Sequence, residues 1–395
     1  MDSDYDITRW PLVRTPIRSD GGYRTYNSDQ NPEVLFEKAT RYLSSVTMNH
    51  APTIEQKATL IQWVNNTVIH ALYGSNMIER AGLDWEATLN HCHRVLQRLD
   101  IEETDDIRGQ REVVQHMRAY QHIIHHFVVL GEYMTEELVK NTHAILCKGV
   151  PIIEVPEVPS ERYAGIYRKC CVGAGNTMFV TPQFVPTKMT EMCANLQREI
   201  EEGHHHIDPF SLASKYSLRF VEIHPFQDGN GRMCRMILNA ILLRYTGIVV
   251  PIGETEEDRV EYMDIKKRAS IDMEGHGEYA TFVLKKGVAD RYQLLGNFSV
   301  CHASPQAPRH GVEHGKYFIE EVIIDLVSVP TQTFAILSEK KVEEKVPNLL
   351  DTGYLCGCLS APASDRQHPA ASCRAPARFR VQADYLVNYS NSIYL

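Results

Sequence analysis

From Pro32 to about Leu294, apolar residues recur mostly at helical spacing. In the stretch Glu55 to Leu72, the positions Ala58, Ile61, Val64, Val68, Ala71 and Leu72 share one helix face. Gly74-Ser75 is expected to break that helix, with Ser75 as the N-cap of a short new one. Further helices are predicted over Asp84–Leu96, 106–130, 135–149, Lys188–Glu201, Pro209–Glu222, Arg232–Tyr245, Thr255–Ser270 and Glu278–Leu294. Thr135 with Glu136 and Glu137 supplies a cap and early negative charge, and Gly247 ends the Arg232 helix. Two regions depart from this period. Prolines between Pro151 and Pro159 mark a linker, and Gly165–Val185 favours strands turning at Gly173-Ala174-Gly175-Asn176. Beyond Asn297, Tyr317–Val329 reads as a strand or short helix, and Leu359–Arg380 is rich in Ala, Pro, Ser and Arg with little to bury. The expected architecture is mainly α, a helical bundle with a small β-hairpin. It divides into a flexible arm at 1–30, a helical region at 31–105, a core domain at 106–296 and a poorly structured tail at 297–395.

Composition narrows the function classes. The 395 residues are 43% hydrophobic and 23% charged, ordinary for a soluble globular protein. A formal net charge of −9 argues against a broad nucleic-acid surface, yet leaves room for a local basic pocket holding one nucleotide. The ten cysteines are scattered and suggest no disulfide framework, so reduced thiols and a cytoplasmic or nuclear location are expected. The acidic start Met1-Asp2-Ser3-Asp4-Tyr5-Asp6 has no apolar core of a signal peptide. The best apolar run, Met236 to Leu243, is too short to span a membrane.

The densest chemistry lies in His224-Pro225-Phe226-Gln227-Asp228-Gly229-Asn230-Gly231-Arg232, between two predicted helices. Gly229 and Gly231 permit backbone conformations closed to other residues, and the loop feeds a helix N-terminus. Such a terminus presents free N–H groups to a phosphate chain. Arg232 and Arg235 lie three residues apart on that helix and can reach adjacent phosphates. A polyphosphate usually travels with Mg²⁺, for which Asp228 is the one carboxylate in the loop. His224 is the group there able to take a proton near neutral pH. The loop offers no Cys, Ser or Lys placed as an obvious covalent nucleophile, which leaves direct attack by an outside hydroxyl on the bound nucleotide.

The run through Arg235 matches H-x-F-x-[DE]-G-N-G-R-x-x-R without departure and resembles the signature of the Fic (filamentation induced by cAMP) family. The resemblance covers roughly residues 70 to 295, including the helices around Thr142-His143 and from Glu112 to Phe127. It implies a Fic-fold helical bundle acting as a protein adenylyltransferase, which moves AMP from Mg-ATP to a Ser, Thr or Tyr hydroxyl of a target protein and releases pyrophosphate. His224 would be the base and Asp228 the Mg²⁺ ligand. Gly229, Asn230 (backbone and side chain), Gly231, Arg232 and Arg235 would hold the phosphates, while Phe226 faces the core. The segments Tyr163-Ala164-Gly165-Ile166-Tyr167-Arg168 and Phe179-Val180-Thr181-Pro182 resemble the ends of the family's flap. Gly173, Ala174, Gly175, Asn176, Thr177, Met178 and Phe179 would then dock the target by strand addition.

Ser75-Asn76-Met77-Ile78-Glu79 is similar to the inhibitory motif [ST]-x-x-x-E-[GN] of a subclass carrying it N-terminal to the core. Glu79 would pair with Arg235 and displace the γ-phosphate. The departure is Arg80, where a Gly or Asn would close the helix left-handedly; Gly82 is the substitute expected. Self-modification and a homodimer are compatible with this reading; nucleic acid and membrane partners are not expected. Three alternatives stay open: removal of AMP from a modified protein, transfer of another phosphate-containing group, and a non-catalytic nucleotide-binding module. The clusters His204-His205-His206 and His91-Cys92-His93 are not expected to hold metal, because adjacent histidines rarely converge on one ion.

Overall fold

The computed structural model describes residues 22–25, 31–46, 54–101, 105–154, 156–174, 177–203, 207–271 and 275–300, all within one unit of the chain. The predicted arm at 1–30, apart from residues 22–25, and the tail beyond 300 lie outside them, as do Gly175, Asn176 and His204-His205-His206. The order is α1 (Pro32–Val46), α2 (Ile54–Ile78), α3 (Trp85–Leu96), α4 (Ile107–Ile123), α5 (Glu136–Leu146), β1 (Gly173–Ala174), β2 (Thr177–Met178), α6 (Val185–Glu202), α7 (Pro209–Ile223), α8 (Asn230–Thr246), α9 (Glu256–Ile271) and α10 (Gly277–Val300). It is a mainly helical protein. Among the described residues the only paired strands are β1 and β2, antiparallel with Gly173 opposite Met178 and Ala174 opposite Thr177. The broader strand region predicted over 165–185 is otherwise loop with a single 3-10 turn at Pro182–Phe184.

Helix α8 is the centre of the bundle. Every residue from Asn230 to Leu243 is buried, so this helix is covered all round rather than on one stripe. Helix α7 lies along it, α4 carries α3 and α5, and α10 packs on α7 and α1. Asp208 caps α7 by accepting from Phe210 and Ser211 N–H at 3.1 and 3.0 Å. The predicted helix over 106–130 is α4 followed by a π-helical turn at Ile124–Val129.

One prediction about α2 is overturned. The helix runs unbroken through Gly74-Ser75, and Ser75 caps nothing. The glycine is needed for contact, not for a break: a β-carbon on Gly74 would stand 2.5 Å from the carbonyl oxygen of Ile252. From the other side, a β-carbon on Gly253 would collide with Ile78. Helix α2 therefore meets the 252–254 loop backbone to backbone, beside a hydrogen bond of His70 Nδ1 with Glu254 Oε1 at 2.5 Å.

The end of α2 resolves the question posed by Arg80. Arg80 N–H bonds Met77 C=O at 3.2 Å and Ala81 N–H bonds Asn76 C=O at 3.0 Å. This is the paired pattern of a Schellman turn, with Glu79 as the C-cap and Arg80 as the left-handed residue. Arg80 adopts φ +53° itself, and Gly82 (φ +79°) makes a second turn rather than replacing it. A side chain in this region costs about 1 kcal/mol relative to glycine. Arg80→Gly is accordingly expected to raise stability by about that amount, read as a higher urea midpoint at unchanged slope. A lower midpoint would show that contacts of the Arg80 side chain outweigh the backbone cost.

Candidate active site

The motif loop is held by the residues that flank it. His224 ends α7 in the left-handed conformation, φ +50°, with its N–H on Phe220 C=O at 3.0 Å. Gly229, φ +75°, turns the chain into α8. Between them, the Asn230 amide accepts from Phe226 N–H at 3.0 Å and donates to Phe226 C=O at 2.8 Å. Each polar atom of the Asn230 side chain thus makes one bond that closes the loop, a tie the motif resemblance does not assign to it. Phe226 is fully buried, as its place in the motif implies. Asp228 Oδ1 accepts from Gly229 N–H at 2.7 Å.

Residues without an assigned role in the sequence reading complete the scaffold. His143 stacks on Phe226, ring centres 3.6 Å apart and planes at 4°. Gly165 N–H donates to His143 Nδ1 at 2.9 Å, so the proton resides on Nε2, which donates to Asp228 C=O at 2.9 Å. Arg168 is a second tie. It donates to the carbonyls of His224 (2.6 Å), Ile223 (3.3 Å), Cys170 (2.8 Å) and Val180, joining the hairpin segment to the motif loop. Neither role has a local sequence signal, since the partners of His143 and Arg168 lie up to 85 and 56 residues away.

The site is rich in cations and backbone donors. No side chain caps the N-terminus of α8. Arg232 is buried, with Nη2 3.5 Å from Asp228 Oδ2, while its Nε and Nη1 are buried without a hydrogen-bond partner. Arg235 Nη2 pairs with Glu79 Oε1 at 2.6 Å; Nε donates to Ser75 Oγ at 2.8 Å, and Nη1 has no partner. Burial opposes the charge of Arg235, but the Glu79 carboxylate outweighs it and holds the guanidinium charged. A β-carbon on Gly231 would collide with Glu79 Oε1, so the carboxylate lies directly against the start of α8. The residues Ser75, Glu79, Asp228, Gly231, Arg232 and Arg235 thus converge.

His224 is the basic group facing them. Its Nδ1 is 3.3 Å from Val221 C=O, which places the proton on Nδ1 and a lone pair on Nε2. Burial is the main cause that lowers its pKa, to about 3. Burial likewise lowers His143 to about 4 and pushes His116 well down, with Arg232 and Arg235 adding to the effect on His116. All three are neutral when folded and titrate near 6.5 when unfolded. Their contribution is fully present above pH 6.5 and is lost as pH falls from there toward 4. Each contributes a slope of up to about 1.4 kcal/mol per pH unit. The urea midpoint is expected to fall steeply between pH 6.5 and 5, and a flat profile would refute neutral burial.

Among the described residues, no group of three or more His, Cys, Asp or Glu could hold a metal ion, and no helix is long and apolar enough to cross a membrane. The hairpin residues Gly173, Ala174, Thr177 and Met178 form the strand pair, and Phe179 leaves it toward His224.

Similarity to known proteins agrees with this geometry. The Fic/DOC family profile matches residues 133–242, from the start of α5 through most of α8. A Fido domain-containing protein of Dictyostelium discoideum is 32% identical over 107 residues, covering 26% of this chain and 72% of that protein. The protein adenylyltransferase fic-1 of Caenorhabditis elegans is 31% identical over 122 residues, 30% of this chain and 22% of its own length. For the protein adenylyltransferase Fic of Nematostella vectensis the figures are 31% over 172 residues, 41% of this chain and 37% of that one. The chain therefore matches well under half the length of these two adenylyltransferases. A solved fragment of Fic-1 from C. elegans shares the fold, with a TM-score of 0.55 at 20% identity over 68% of this chain and 73% of the fragment. With this fold, this loop between α7 and α8, and a relative matched over most of its length, the chain belongs to the Fic/DOC family.

Proposed function

We propose that the chain is a protein adenylyltransferase, transferring AMP from Mg-ATP to a Ser, Thr or Tyr hydroxyl of a target protein and restrained by Glu79. The observation that carries this reading is a set of buried donors with nothing to bind. Arg232 Nε and Nη1 and Arg235 Nη1 lack partners beside an uncapped helix N-terminus, and leaving such groups unpaired is costly. A triphosphate would satisfy them. Asp228 fits Mg²⁺: its side chain is 39% exposed, and a lone carboxylate suits a cation that shares its coordination with phosphate oxygens and water. When bound, the ion would neutralise phosphate charge.

In this reading His224 Nε2 takes the proton of the target hydroxyl. The hydroxyl oxygen bonds the α-phosphorus, the bond from that phosphorus to the bridging oxygen breaks, and pyrophosphate leaves against Arg232 and Arg235. Residues 173–179 would hold the target segment by strand addition. Glu79 occupies the guanidinium that the terminal phosphate needs, which supports an off-state. A second reading, hydrolytic release of AMP from a modified protein, is favoured by the same carboxylate, which is 16% exposed inside the site and could orient a water.

The deciding experiment compares ATP labelled at the α-phosphate with ATP labelled at the γ-phosphate, using the Glu79→Gly chain and lysate proteins. Adenylylation transfers only the α label. Transfer of the γ label would overturn the proposal in favour of phosphorylation, and release of AMP abolished by Glu79→Gly would favour the second reading.

A further inference from the structure

Both imidazoles that hold the site have a phenyl ring laid flat against them. For His143 the partner is Phe226, deep in the core. For His224 it is Phe179, with ring centres 3.9 Å apart and planes at 13°. Phe179 is not a core residue: it is only partly buried, and its neighbour Met178 is 71% exposed. A surface hairpin therefore sends one ring inward, onto the proposed base. The segment is tied on both sides of Phe179, most firmly by Arg168. Phe179 N–H bonds Val172 C=O at 3.4 Å, and Arg168 bonds the carbonyls of Val180 and of His224 itself.

The other restraint on the imidazole is weak. Nδ1 meets Val221 C=O at 3.3 Å, the long end of hydrogen-bond distance. The terminal torsion of a histidine ring is broad, so one long bond does not fix its plane. A parallel ring does, because turning the imidazole would drive its edge into the phenyl face. The residue as a whole is left 6% exposed.

We infer that Phe179 is the positioning residue of His224: its ring sets the plane in which Nε2 presents its lone pair and closes one imidazole face to water. The consequence for the base rests on the adenylyltransferase reading, whereas the stack itself can be tested apart from it. The charged groups acting on His224 are the Arg168 guanidinium, which disfavours its protonation, and the Asp228 carboxylate, which favours it. Both remain when Phe179 is changed.

The test uses the full chain carrying Phe179→Ala or the conservative Phe179→Tyr, with ¹³C-labelled histidine. The His224 resonance is identified by its loss in His224→Ala. With Phe179 or Tyr at this position, His224 is expected to stay unprotonated until the chain unfolds in acid. With Ala it is expected to titrate within the folded range, closer to an ordinary imidazole. In the Glu79→Gly background, Phe179→Ala should lower kcat for AMP transfer about tenfold or more, leave KM for ATP within about twofold, and move the acid limb of the rate profile upward. Phe179→Tyr should restore all three. An unmoved His224 titration in Phe179→Ala overturns the inference, as does an unchanged kcat in an active background. If the Glu79→Gly chain transfers no AMP at all, the adenylyltransferase reading fails and the titration alone decides the stack.

Discussion

In the Glu79→Gly chain, His224→Ala is expected to reduce AMP transfer by roughly 10²–10⁴-fold, the usual worth of a positioned general base. Affinity for ATP should change by no more than about twofold, because the groups proposed to hold phosphate belong to Gly229 and α8 rather than to the His224 side chain. The fold should survive. The backbone at His224 is tied by its N–H on Phe220 and by Arg168 on its carbonyl, neither of which needs the side chain. The left-handed conformation at φ +50° costs alanine about what it already costs histidine. Loss of one buried neutral imidazole should also soften the acid dependence of stability by up to about 1.4 kcal/mol per pH unit. The measurement is single-turnover labelling with α-labelled ATP, alongside nucleotide binding. Labelling that persists at the parent rate removes His224 from the role of base, whatever else acts there.

The second large effect belongs to Glu79→Gly itself. Transfer is expected to rise on the order of 10–100-fold, in line with removing a competitor for one charge-assisted contact. A stability cost should accompany it. Arg235 is 1% exposed, so without the carboxylate its charge is buried and unpaired but for Ser75. Breaking such a pair from one side costs roughly 3–5 kcal/mol. Glycine at the C-cap recovers little, since it is Arg80 that takes the left-handed position. The variant should therefore melt lower than the parent without nucleotide, and Mg-ATP should raise its Tm more than it raises the parent's. Equal nucleotide shifts in both proteins would mean that Glu79 and phosphate do not compete. Glu79→Gln is the companion variant: it keeps a partner for Arg235 but removes the charge, and its activity should fall between the two.

The loop from His224 to Arg235 was legible in the sequence because its chemistry is local. Glycines for a turn, a carboxylate, an imidazole and paired arginines are adjacent in the chain, and the structure keeps them adjacent. Helix placement followed from period as well, with α8 recognised although it is buried all round. What failed or was missing depends on distant partners. Gly74 looks like a helix breaker, and only the Ile252 carbonyl, far along the chain, explains its presence inside α2. His143 and Arg168 resemble any buried or surface residue until Asp228, Gly165 and the His224 carbonyl come to meet them. The family resemblance implies a phosphate role for Asn230; its closure of the Phe226 turn is a matter of geometry that residue type does not reveal.

The backbone-to-backbone contact of Gly74 with the 252–254 loop has a kinetic consequence for any restraint exerted by Glu79. The last helical turn of α2 ends in a Schellman cap on a residue that dislikes its conformation, so opening of this end of the helix is expected to start there. The close contact of Gly74 with Ile252, one turn earlier, is expected to confine that opening to the last turn. Release of Arg235 is therefore expected to be a single-turn opening on the submicrosecond to microsecond scale of local helix motion. A latch of that kind equilibrates far faster than an enzyme turns over. Its effect on rate would then be set by the fraction of time it stands open, and not by how quickly it moves.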